Sequence, residues 1–429
     1  MAILPPRFIS DRSGNFGIMT ALLMVPLLGT AGMAVDFAHA LSLRTQLYAA
    51  ADAAAVGSIA EKSGAVAAAM TMSGNGTISL GKSDARDIFM SQVSGELSEI
   101  DVDLGIDVTK ATNKLHSQVS FSATMPTTFM RVFGKDSITI SGTATAEYQT
   151  ASFMDFYILL DNTPSMGVGA TASDVATMEK NTSDSCAFAC HETQNSNNYY
   201  NLAKKLGVSM RIDVVRQATK ELTQTAKTTR VSNNQFRMGV YTFGTKAEDA
   251  KLTTISEPTD NLDQVRIYTD AVDLMTIPYQ GYNNDQQTSF DNALTQMKTI
   301  ITAPGDGSTS TTPQKILFFV SDGVGDSEKP KTCTKKPTGK RCQEPIDTSF
   351  CQPLKDKGVR IAVLYTTYLP LPKNSWYNTW IKPFQSEIPT KMQACASPGL
   401  YFEVTPTEGI ADAMKALFLK AIRAPRITS

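Results

Sequence analysis

A run of twenty residues without a charged side chain, Phe16 to Val35, constrains the fold of this chain more than any other segment. As an α-helix it would be about 30 Å long, which matches the hydrocarbon core of a bilayer. Pro26, Gly29 and Gly32 lie within it, and these residue types are tolerated in membrane helices but are poor in soluble ones. We therefore expect a single membrane-spanning helix over residues 16–35.

The residues on either side of this run indicate its orientation. Arg7 and Arg12 precede it against the single acidic residue Asp11, and such an excess of positive charge favours a cytoplasmic N-terminus. The chain is then expected to be a single-pass protein of a bacterial inner membrane, with its bulk periplasmic or facing the surface. The alternative is a secretory signal peptide cut after Ala34, although the run is longer than the usual signal core of about 7–15 residues.

Composition excludes several classes of function. A formal net charge of -1 gives no basic surface for nucleic acid, so no nucleic-acid partner is expected. The three histidines, His39, His116 and His191, are far apart in the sequence. A zinc enzyme or a Ser-His-Asp hydrolase is therefore poorly supported. At 429 residues the chain is long enough for two or three domains.

The pattern after the apolar run divides the chain into three parts. Residues 37–62 are rich in alanine and predict a continuation of the first helix, whereas residues 63–82 are rich in Gly, Ser and Thr and predict a linker. A helix over 83–97 and β-like runs at 100–104, 116–121 and 138–145 then form a small α+β module. The expected domains are 1–62 (anchor and continuing helix), 63–150 (small module) and 151–429 (main domain).

The main domain alternates short buried strands with amphipathic helices. Strands are predicted at 156–160, 236–243, 316–320, 359–365 and 400–404, with helices at 210–227, 290–301 and 410–422. Such alternation predicts an α/β fold with a doubly wound, mostly parallel sheet and helices on both faces. Ligands in these folds bind beyond the carboxyl ends of the strands.

Oxygen-bearing side chains follow two of these strands. Asp161, Thr163 and Ser165 alternate after the first strand, and an extended loop would turn all three to one side. Asp322 follows the strand at 316–320, and Thr288 precedes the helix at 290–301. Such hard oxygen ligands suit Mg²⁺ first, with Mn²⁺ or Ca²⁺ as alternatives. The competing interpretation is that these residues only cap helices and turns.

These segments resemble the signature of von Willebrand factor A domains. Asp161-Asn162-Thr163-Pro164-Ser165 resembles the family's Asp-x-Ser-x-Ser, Thr288 lies six residues before Leu294 as in its Gly-Gly-Thr…Ala-Leu segment, and Ser321-Asp322-Gly323 resembles its Thr-Asp-Gly. The resemblance implies a von Willebrand A (Rossmann-like) fold with a metal-ion-dependent adhesion site. Gln286-Gln287 stands where the family has a glycine pair, so this sequence departs from the family in the loop that carries Thr288.

The expected ligand set indicates binding rather than catalysis. Five protein ligands leave a coordination position open on Mg²⁺ or Ca²⁺, and few carboxylates leave the ion incompletely neutralised. An Asp or Glu of a protein partner would complete such a site. No candidate general base lies beside it in the sequence, so the chain is expected not to be an enzyme.

The N-terminus resembles a second family, the TadG-like proteins of Flp (tight adherence) pilus assembly. The resemblance covers about the first 60 residues and lies in Arg12-Ser13-Gly14-Asn15, the apolar run and Ala49-Ala50-Ala51-Asp52-Ala53-Ala54-Ala55. It implies a membrane anchor, pilus-assembly or envelope components as partners, and a role in pilus assembly or adhesion. Met19 stands where related pseudopilins carry Glu after the processed Gly, which argues against processing after Gly14.

All six cysteines lie beyond the apolar run, and an exported chain favours disulfides. Six cysteines permit fifteen pairings, among which Cys333–Cys342, flanking a Lys-rich loop after Asp322, and Cys351–Cys395 are two candidates. Cys186 and Cys190 would lie one turn apart on a helix, and a disulfide is favoured there over a metal or haem site that includes His191. The insertion at 170–200 and the loop at 326–348 are expected to overhang the metal site.

Three functions remain in competition at this point. The first is a non-enzymatic membrane-anchored protein that binds a partner through its metal. The second is a mechanical or scaffold protein whose A domain carries no metal. The third is a redox or haem protein that uses Cys186, Cys190 and His191.

Overall fold

The computed structural model describes residues 15–93, 100–249, 251–282, 287–329, 331–405 and 409–423. The chain divides into two compact units, Met1–Thr150 and Ala151–Ser429. The predictions that concern Arg7, Arg12, Gly14 and Gln286 lie outside the described residues.

The apolar run and the alanine-rich segment form one continuous helix, α1 (Asn15–Ser58), with Pro26 inside it. Its 44 residues correspond to a length of about 66 Å. It is the one helix among the described residues that is long and apolar enough to cross a membrane. The predicted continuation of the helix is confirmed, although the helix ends four residues before Lys62.

The first unit is an antiparallel sheet covered by helices. Its strands follow the order β1 (Gly76–Thr77), β2 (Val102–Ala111), β3 (Lys114–Pro126) and β4 (Ser137–Gln149). Two further helices, α2 (Gly64–Thr71) and α3 (Ser79–Gln92), precede β2. The predicted linker at 63–82 is therefore wrong, because Ser63 caps α2 by accepting a hydrogen bond from the backbone N–H of Val66.

The second half of α1 supplies much of the core of this unit. Its buried residues recur at spacings of three and four, which places them on one face of the helix. They pack against the inward-facing side chains of β3 and β4, including Val119, Phe121 and Ala144. The first half of α1 instead exposes large apolar side chains such as Leu22 and Val25, each 71% exposed.

The second unit contains a six-stranded sheet in the order β12-β11-β8-β5-β6-β7. The strands are β5 (Met154–Leu160), β6 (Phe236–Thr242), β7 (Thr253–Thr259), β8 (Gln314–Ser321), β11 (Arg360–Thr366) and β12 (Tyr401–Val404). All neighbours are parallel except β7, an antiparallel edge strand that the sequence pattern did not reveal. The mixed, mostly parallel sheet is as expected, whereas the von Willebrand A assignment stays a prediction.

Helices cover both faces of this sheet because the side chains of a strand alternate between its faces. Phe156, Ile158 and Leu160 of β5 belong to one apolar cluster, and Tyr157 and Leu159 belong to the other. The first cluster includes residues of α4 (Ala172–Asn181), α5 (Tyr199–Lys205), α6 (Arg211–Thr229), α7 (Leu262–Tyr268) and α11 (Ile410–Arg423). The second includes residues of α8 (Phe290–Ile300), α9 (Gln352–Asp356) and α10 (Ile388–Cys395).

A hairpin follows the central strand β8. It pairs β9 (Val324–Glu328) with β10 (Arg341–Pro345) in antiparallel register. The disulfide Cys333–Cys342 closes its loop, and Cys351–Cys395 links the start of α9 to the end of α10. Both predicted pairings are confirmed.

Candidate metal centre

Two neighbouring parallel strands bring the two predicted carboxylates together. Residues of β5 pair in register with residues of β8, with Leu160 opposite Val320. Asp161, the first residue after β5, therefore lies beside Ser321, the last residue of β8. The backbone N–H of Asp161 donates to the carbonyl oxygen of Val320 over 2.9 Å. The side chains of Asp161 and Asp322 have no exposed surface.

The loop after β5 folds its alternate oxygens onto one another, as the spacing predicts. Oδ1 of Asp161 accepts hydrogen bonds from the backbone N–H (3.0 Å) and the hydroxyl (2.6 Å) of Thr163. The Thr163 hydroxyl also lies 3.3 Å from Oγ of Ser165. Ser165 lies in a short 3-10 helix, Pro164–Gly167. The ring of Pro164 fixes the φ angle at the start of this helix and so helps to hold Ser165 in place.

The loop after β8 joins the same group of oxygens. Ser321 donates its hydroxyl proton to Oδ2 of Asp161 over 2.5 Å, and the Ser165 side chain hydrogen-bonds the Asp322 carboxylate. Gly323 follows with a φ of 73°, and a Cβ there would lie 2.5 Å from Ile388. Glycine is thus required for the turn that places Asp322 in this group.

A buried cation that the sequence did not indicate lies beside these carboxylates. Arg211, the first residue of α6, has no exposed surface, and its Nη1 lies 3.4 Å from Oδ2 of Asp322. Its guanidinium carbon is 5.1 Å from the centre of the Tyr368 ring. Among the described residues, Nε and Nη2 of Arg211 have no hydrogen-bond partner. Nothing in the local sequence marks Arg211, because its neighbour Asp322 lies 111 residues away.

Burial makes the ionised form of both carboxylates unfavourable. Desolvation and the neighbouring Asp322 charge raise the pKa of Asp161 to about 7, although hydrogen bonds from Ser321 and Thr163 oppose the shift. Desolvation also raises the pKa of Asp322, against the opposing effects of Arg211 and Ser165. Two carboxylates with one nearby cation therefore form a site that a further positive charge would stabilise.

Within the described part of the chain, Thr288, the fifth predicted ligand, forms its hydrogen bonds with Asp326 and not with the other four candidates. Its backbone forms an isolated two-bond bridge with Asp326 of β9, with distances of 2.7 and 3.1 Å. Thr288 and Ser165 line the same cavity. The structure therefore brings Asp161, Thr163, Ser165 and Asp322 into one hydrogen-bonded group and places Thr288 on the wall of the cavity that Ser165 also lines.

This cavity has a volume of about 240 Å³ and opens beside the site. Both segments that were expected to overhang the site contribute to its wall, Cys186 and Cys190 from one and Arg341 from the other. Arg341 is neutralised there, because it donates twice to Asp326 over 2.6 Å and lies 4.6 Å from the Trp376 ring centre. The wall is otherwise largely apolar and aromatic.

The predictions for Cys186 and Cys190 are wrong in two respects. Residues 183–190 form turns and irregular backbone rather than a helix, and both cysteines are thiols. His191 donates a hydrogen bond from Nδ1–H to the carbonyl oxygen of Leu274 over 3.1 Å, and its ring stacks on Tyr200. Among the described residues, the one cluster of His, Cys, Asp and Glu ligand atoms comprises Glu344 and the disulfide-bonded Cys333 and Cys342, so the haem interpretation gains no support.

The oxygens of the four clustered residues fit a hard divalent cation. Adjacent ligands of octahedral Mg²⁺ lie about 3 Å apart, since each is roughly 2.0–2.1 Å from the ion. The Asp161–Thr163 and Thr163–Ser165 separations of 2.6 and 3.3 Å are close to that spacing. Bound there, an ion would supply positive charge and an open position for an acidic ligand. Arg211 is the one observation that weakens the need for it.

Comparison with known proteins identifies the N-terminal segment. Residues 14–60 match the family model described as putative Flp pilus-assembly TadE/G-like. This TadE/G-like segment coincides with α1 and with the alanine-rich motif on which the resemblance was based. No curated protein matches the chain by sequence.

Solved structures that resemble the chain include pilus proteins with a von Willebrand domain. The von Willebrand domain of the type V pili tip protein Mfa5 from Porphyromonas gingivalis is 10% identical, covers 65% of this chain and 99% of its own, and has a TM-score of 0.36. The pilus adhesin SpaC from Lactobacillus rhamnosus GG is 12% identical over 77% of this chain and 35% of its own, with a TM-score of 0.37. Proximal thread matrix protein 1 from the mussel byssus is 13% identical over 63% of this chain and 46% of its own, with a TM-score of 0.34.

Proposed function

We propose that the chain is a non-enzymatic envelope protein, anchored in the bacterial inner membrane by α1, that assists Flp pilus assembly or adhesion. The TadE/G-like match over residues 14–60 supports the pilus-assembly role. The long apolar helix supports the anchor. In this proposal the N-terminus is cytoplasmic, and the second unit, as a von Willebrand A-type domain, is periplasmic or surface-facing.

The second unit is proposed to bind a divalent cation through Asp161, Thr163, Ser165 and Asp322, with Thr288, which lines the same cavity as Ser165, as a further ligand. The observation that carries this is the position of the Thr163 hydroxyl, within hydrogen-bond distance of both Asp161 and Ser165. The cation would be Mg²⁺, with Mn²⁺ or Ca²⁺ as alternatives. An Asp or Glu of a protein partner, such as a pilus or envelope component, would enter from the cavity and complete the coordination.

Direct metal binding to the full-length chain in lipid nanodiscs tests this site. Mn²⁺ serves as the probe, because its electron paramagnetic resonance signal distinguishes bound from free ion. We expect one bound Mn²⁺ that Mg²⁺ displaces, and its loss in Asp161→Asn. Asp273→Asn is the matched control, because Asp273 lies in a neighbouring loop and accepts its hydrogen bond from Tyr200. Equal Mn²⁺ binding by wild type and Asp161→Asn would contradict the metal site.

Arg211 favours a second candidate, a scaffold protein whose site works without metal. A fully buried guanidinium 3.4 Å from Asp322 already neutralises part of the negative charge. In that case Mn²⁺ does not bind to the wild-type chain, and the TadE/G-like anchor is the functional part. The same titration therefore separates the two candidates.

A further inference from the structure

The loop that joins β3 to β4 lies against the apolar half of α1. It spans residues 127–136 and contains a short 3-10 helix, Met130–Phe133. A Cβ placed on Gly29 would lie 2.4 Å from Cζ of Phe133, and one placed on Gly32 would lie 2.6 Å from Cβ of Phe129. The absence of side chains at the two glycines thus provides the space in which the two aromatic residues pack against α1.

A carboxylate fixes the position of this loop on the helix. Asp36, one turn beyond Gly32 on the same face of α1, is buried and accepts hydrogen bonds from three consecutive backbone N–H groups. These belong to Thr128, Phe129 and Met130, at distances of 3.1, 2.8 and 2.7 Å. The aromatic residues are therefore held at a defined height along α1.

Three large apolar side chains of this loop remain exposed although the loop packs on α1. Val132 is 82% exposed, Phe133 56% and Phe129 45%, values that are unusual for large apolar residues of a folded unit. Neighbouring apolar residues of α1 are also exposed, such as Leu28, whose exposed fraction is 64%. The loop and the helix thus present one continuous apolar surface within the first unit.

Helix geometry sets the depth of this surface if α1 spans a bilayer. Asp36 ends the uncharged run, and Gly29 lies seven residues before it, or about 10 Å deeper along the helix. A loop that rests on Gly29 and Gly32 then reaches below the level of Asp36. Exposed Phe and Val side chains at that depth would meet acyl chains rather than water.

We propose that the loop 127–136 is a second membrane-docking element, which inserts Phe129, Val132 and Phe133 into the leaflet through which α1 leaves the bilayer. The occupant of this surface is lipid, because the surface is continuous with the apolar face of α1. Arg131 and Lys135, both exposed, are long enough to extend to the headgroups, and Arg131 also pairs with Asp136 over 3.6 Å. The loop fixes the tilt and height of the first unit on the membrane, which a single helix alone leaves free. This inference rests on the proposed anchor.

Tryptophan quenching by brominated lipids tests the proposal on the full-length chain. The two native tryptophans are replaced (Trp376→Phe, Trp380→Phe), and the chain is reconstituted into vesicles of phosphatidylethanolamine and phosphatidylglycerol with brominated acyl chains. Val132→Trp reports on the loop. Lys114→Trp is the matched control, since this exposed residue begins β3, about 40 Å from the loop end of that strand. Leu23→Trp reports on the anchor.

We expect Val132→Trp and Leu23→Trp to lose most of their emission in brominated vesicles, while Lys114→Trp keeps its emission. Quenching of Leu23→Trp without quenching of Val132→Trp overturns the docking loop but leaves the anchor intact. If neither is quenched, both proposals fail. Protection of Val132→Trp from aqueous iodide without quenching by brominated lipid would show that protein covers the loop, and this also overturns the proposal.

Discussion

The guanidinium of Arg211 lies 3.4 Å from the carboxylate of Asp322, and neither side chain has any surface exposed to solvent. Arg211 begins α6, whereas Asp322 follows β8 at the centre of the sheet. Asp322 is one of the proposed metal ligands, so this pair places a buried positive charge directly beside the proposed site. The balance between the positive charge of Arg211 and the nearby carboxylates determines whether a bound cation would stabilise the site.

Replacement of this arginine should make the second unit dependent on metal. In Arg211→Met the Asp322 carboxylate is left buried without its counter-ion, and loss of one partner of a buried pair costs about 3–5 kcal/mol. We expect thermal unfolding of the variant at a lower temperature in chelator, with substantial recovery in Mg²⁺ because the ion replaces the lost charge. Calorimetry of the full-length chain measures both states.

Arg237→Met is the control for that experiment. Arg237 pairs over 2.6 Å with the buried Asp155. Asp155 lies at the start of β5, the strand that Asp161 follows. Its loss should destabilise the unit without recovery in Mg²⁺. Recovery of both variants to the same extent would mean that the ion acts elsewhere.

A larger residue at Gly32 should displace the loop 127–136 from α1. The added side chain of Gly32→Leu overlaps Phe129, and overpacking of this kind costs about 1–3 kcal/mol. We expect trypsin to cleave after Arg131 and Lys135 roughly tenfold faster, because local opening controls access to these bonds. Gly17→Leu is the control, since a Cβ there meets no atom within 4 Å. Unchanged cleavage in Gly32→Leu would argue that the position of the loop does not depend on its packing against Gly32.

The two thiols on the cavity wall should differ in reactivity. A hydrogen bond from Cys190 lowers the pKa of Cys186 below its ordinary 9.0 although burial opposes the shift, whereas the same bond and burial raise the pKa of Cys190. Because the thiolate is the reactive form, iodoacetamide should modify Cys186 at a lower pH than Cys190, even though Cys186 is the more buried of the two. Mass spectrometry over a range of pH measures this order.

The variant Cys190→Ala tests the cause of this difference. Without the hydrogen bond, the pH at which Cys186 reacts half-maximally should rise. The four cysteines of the two disulfides should remain unmodified in both proteins. Faster modification of Cys190 than of Cys186 in the wild type would contradict the assignment.

The contribution of Glu344 of β10 to stability should be lost at low pH. Burial raises its pKa, but hydrogen bonds from Lys329 and Thr334 outweigh this and leave the pKa below its ordinary 4.5. A carboxylate with a lowered folded-state pKa stabilises the fold above pH 4.5, and this contribution is lost as the pH falls through the folded-state pKa. Glu344→Gln should therefore lower the free energy of unfolding by about 1.5–3 kcal/mol at pH 7 and by less at pH 3.

Urea unfolding of the full-length chain at both pH values measures this dependence. Glu328→Gln is the control, because Glu328 lies on the same hairpin and forms an exposed pair with Lys340 at 3.5 Å. Exposed pairs contribute about 0–1 kcal/mol, so little change is expected at either pH. An equal effect of Glu344→Gln at pH 7 and pH 3 would show that its charge is not what stabilises the hairpin.

Much of the site could be predicted because its parts are local. Asp161, Thr163 and Ser165 lie within five residues, and their convergence follows from the alternation of an extended loop. The proximity of Asp322 followed from the rule that parallel strands end at one edge of the sheet, once β5 and β8 were recognised as strands. Neither inference required knowledge of which helix packs where.

The sequence by itself determined the long helix α1, the main strands of the sheet and the order of the metal-ligand candidates. This was possible because hydrophobic periodicity and strand ends depend on residues that are close together in the sequence. Only the tertiary structure decided that Arg211 faces Asp322, that Thr288 lines one cavity with Ser165, and that the loop 127–136 packs on Gly29 and Gly32. These contacts join residues roughly one hundred or more positions apart. They depend on how whole elements pack, and the packing energy of a pair of elements is not visible in either segment alone.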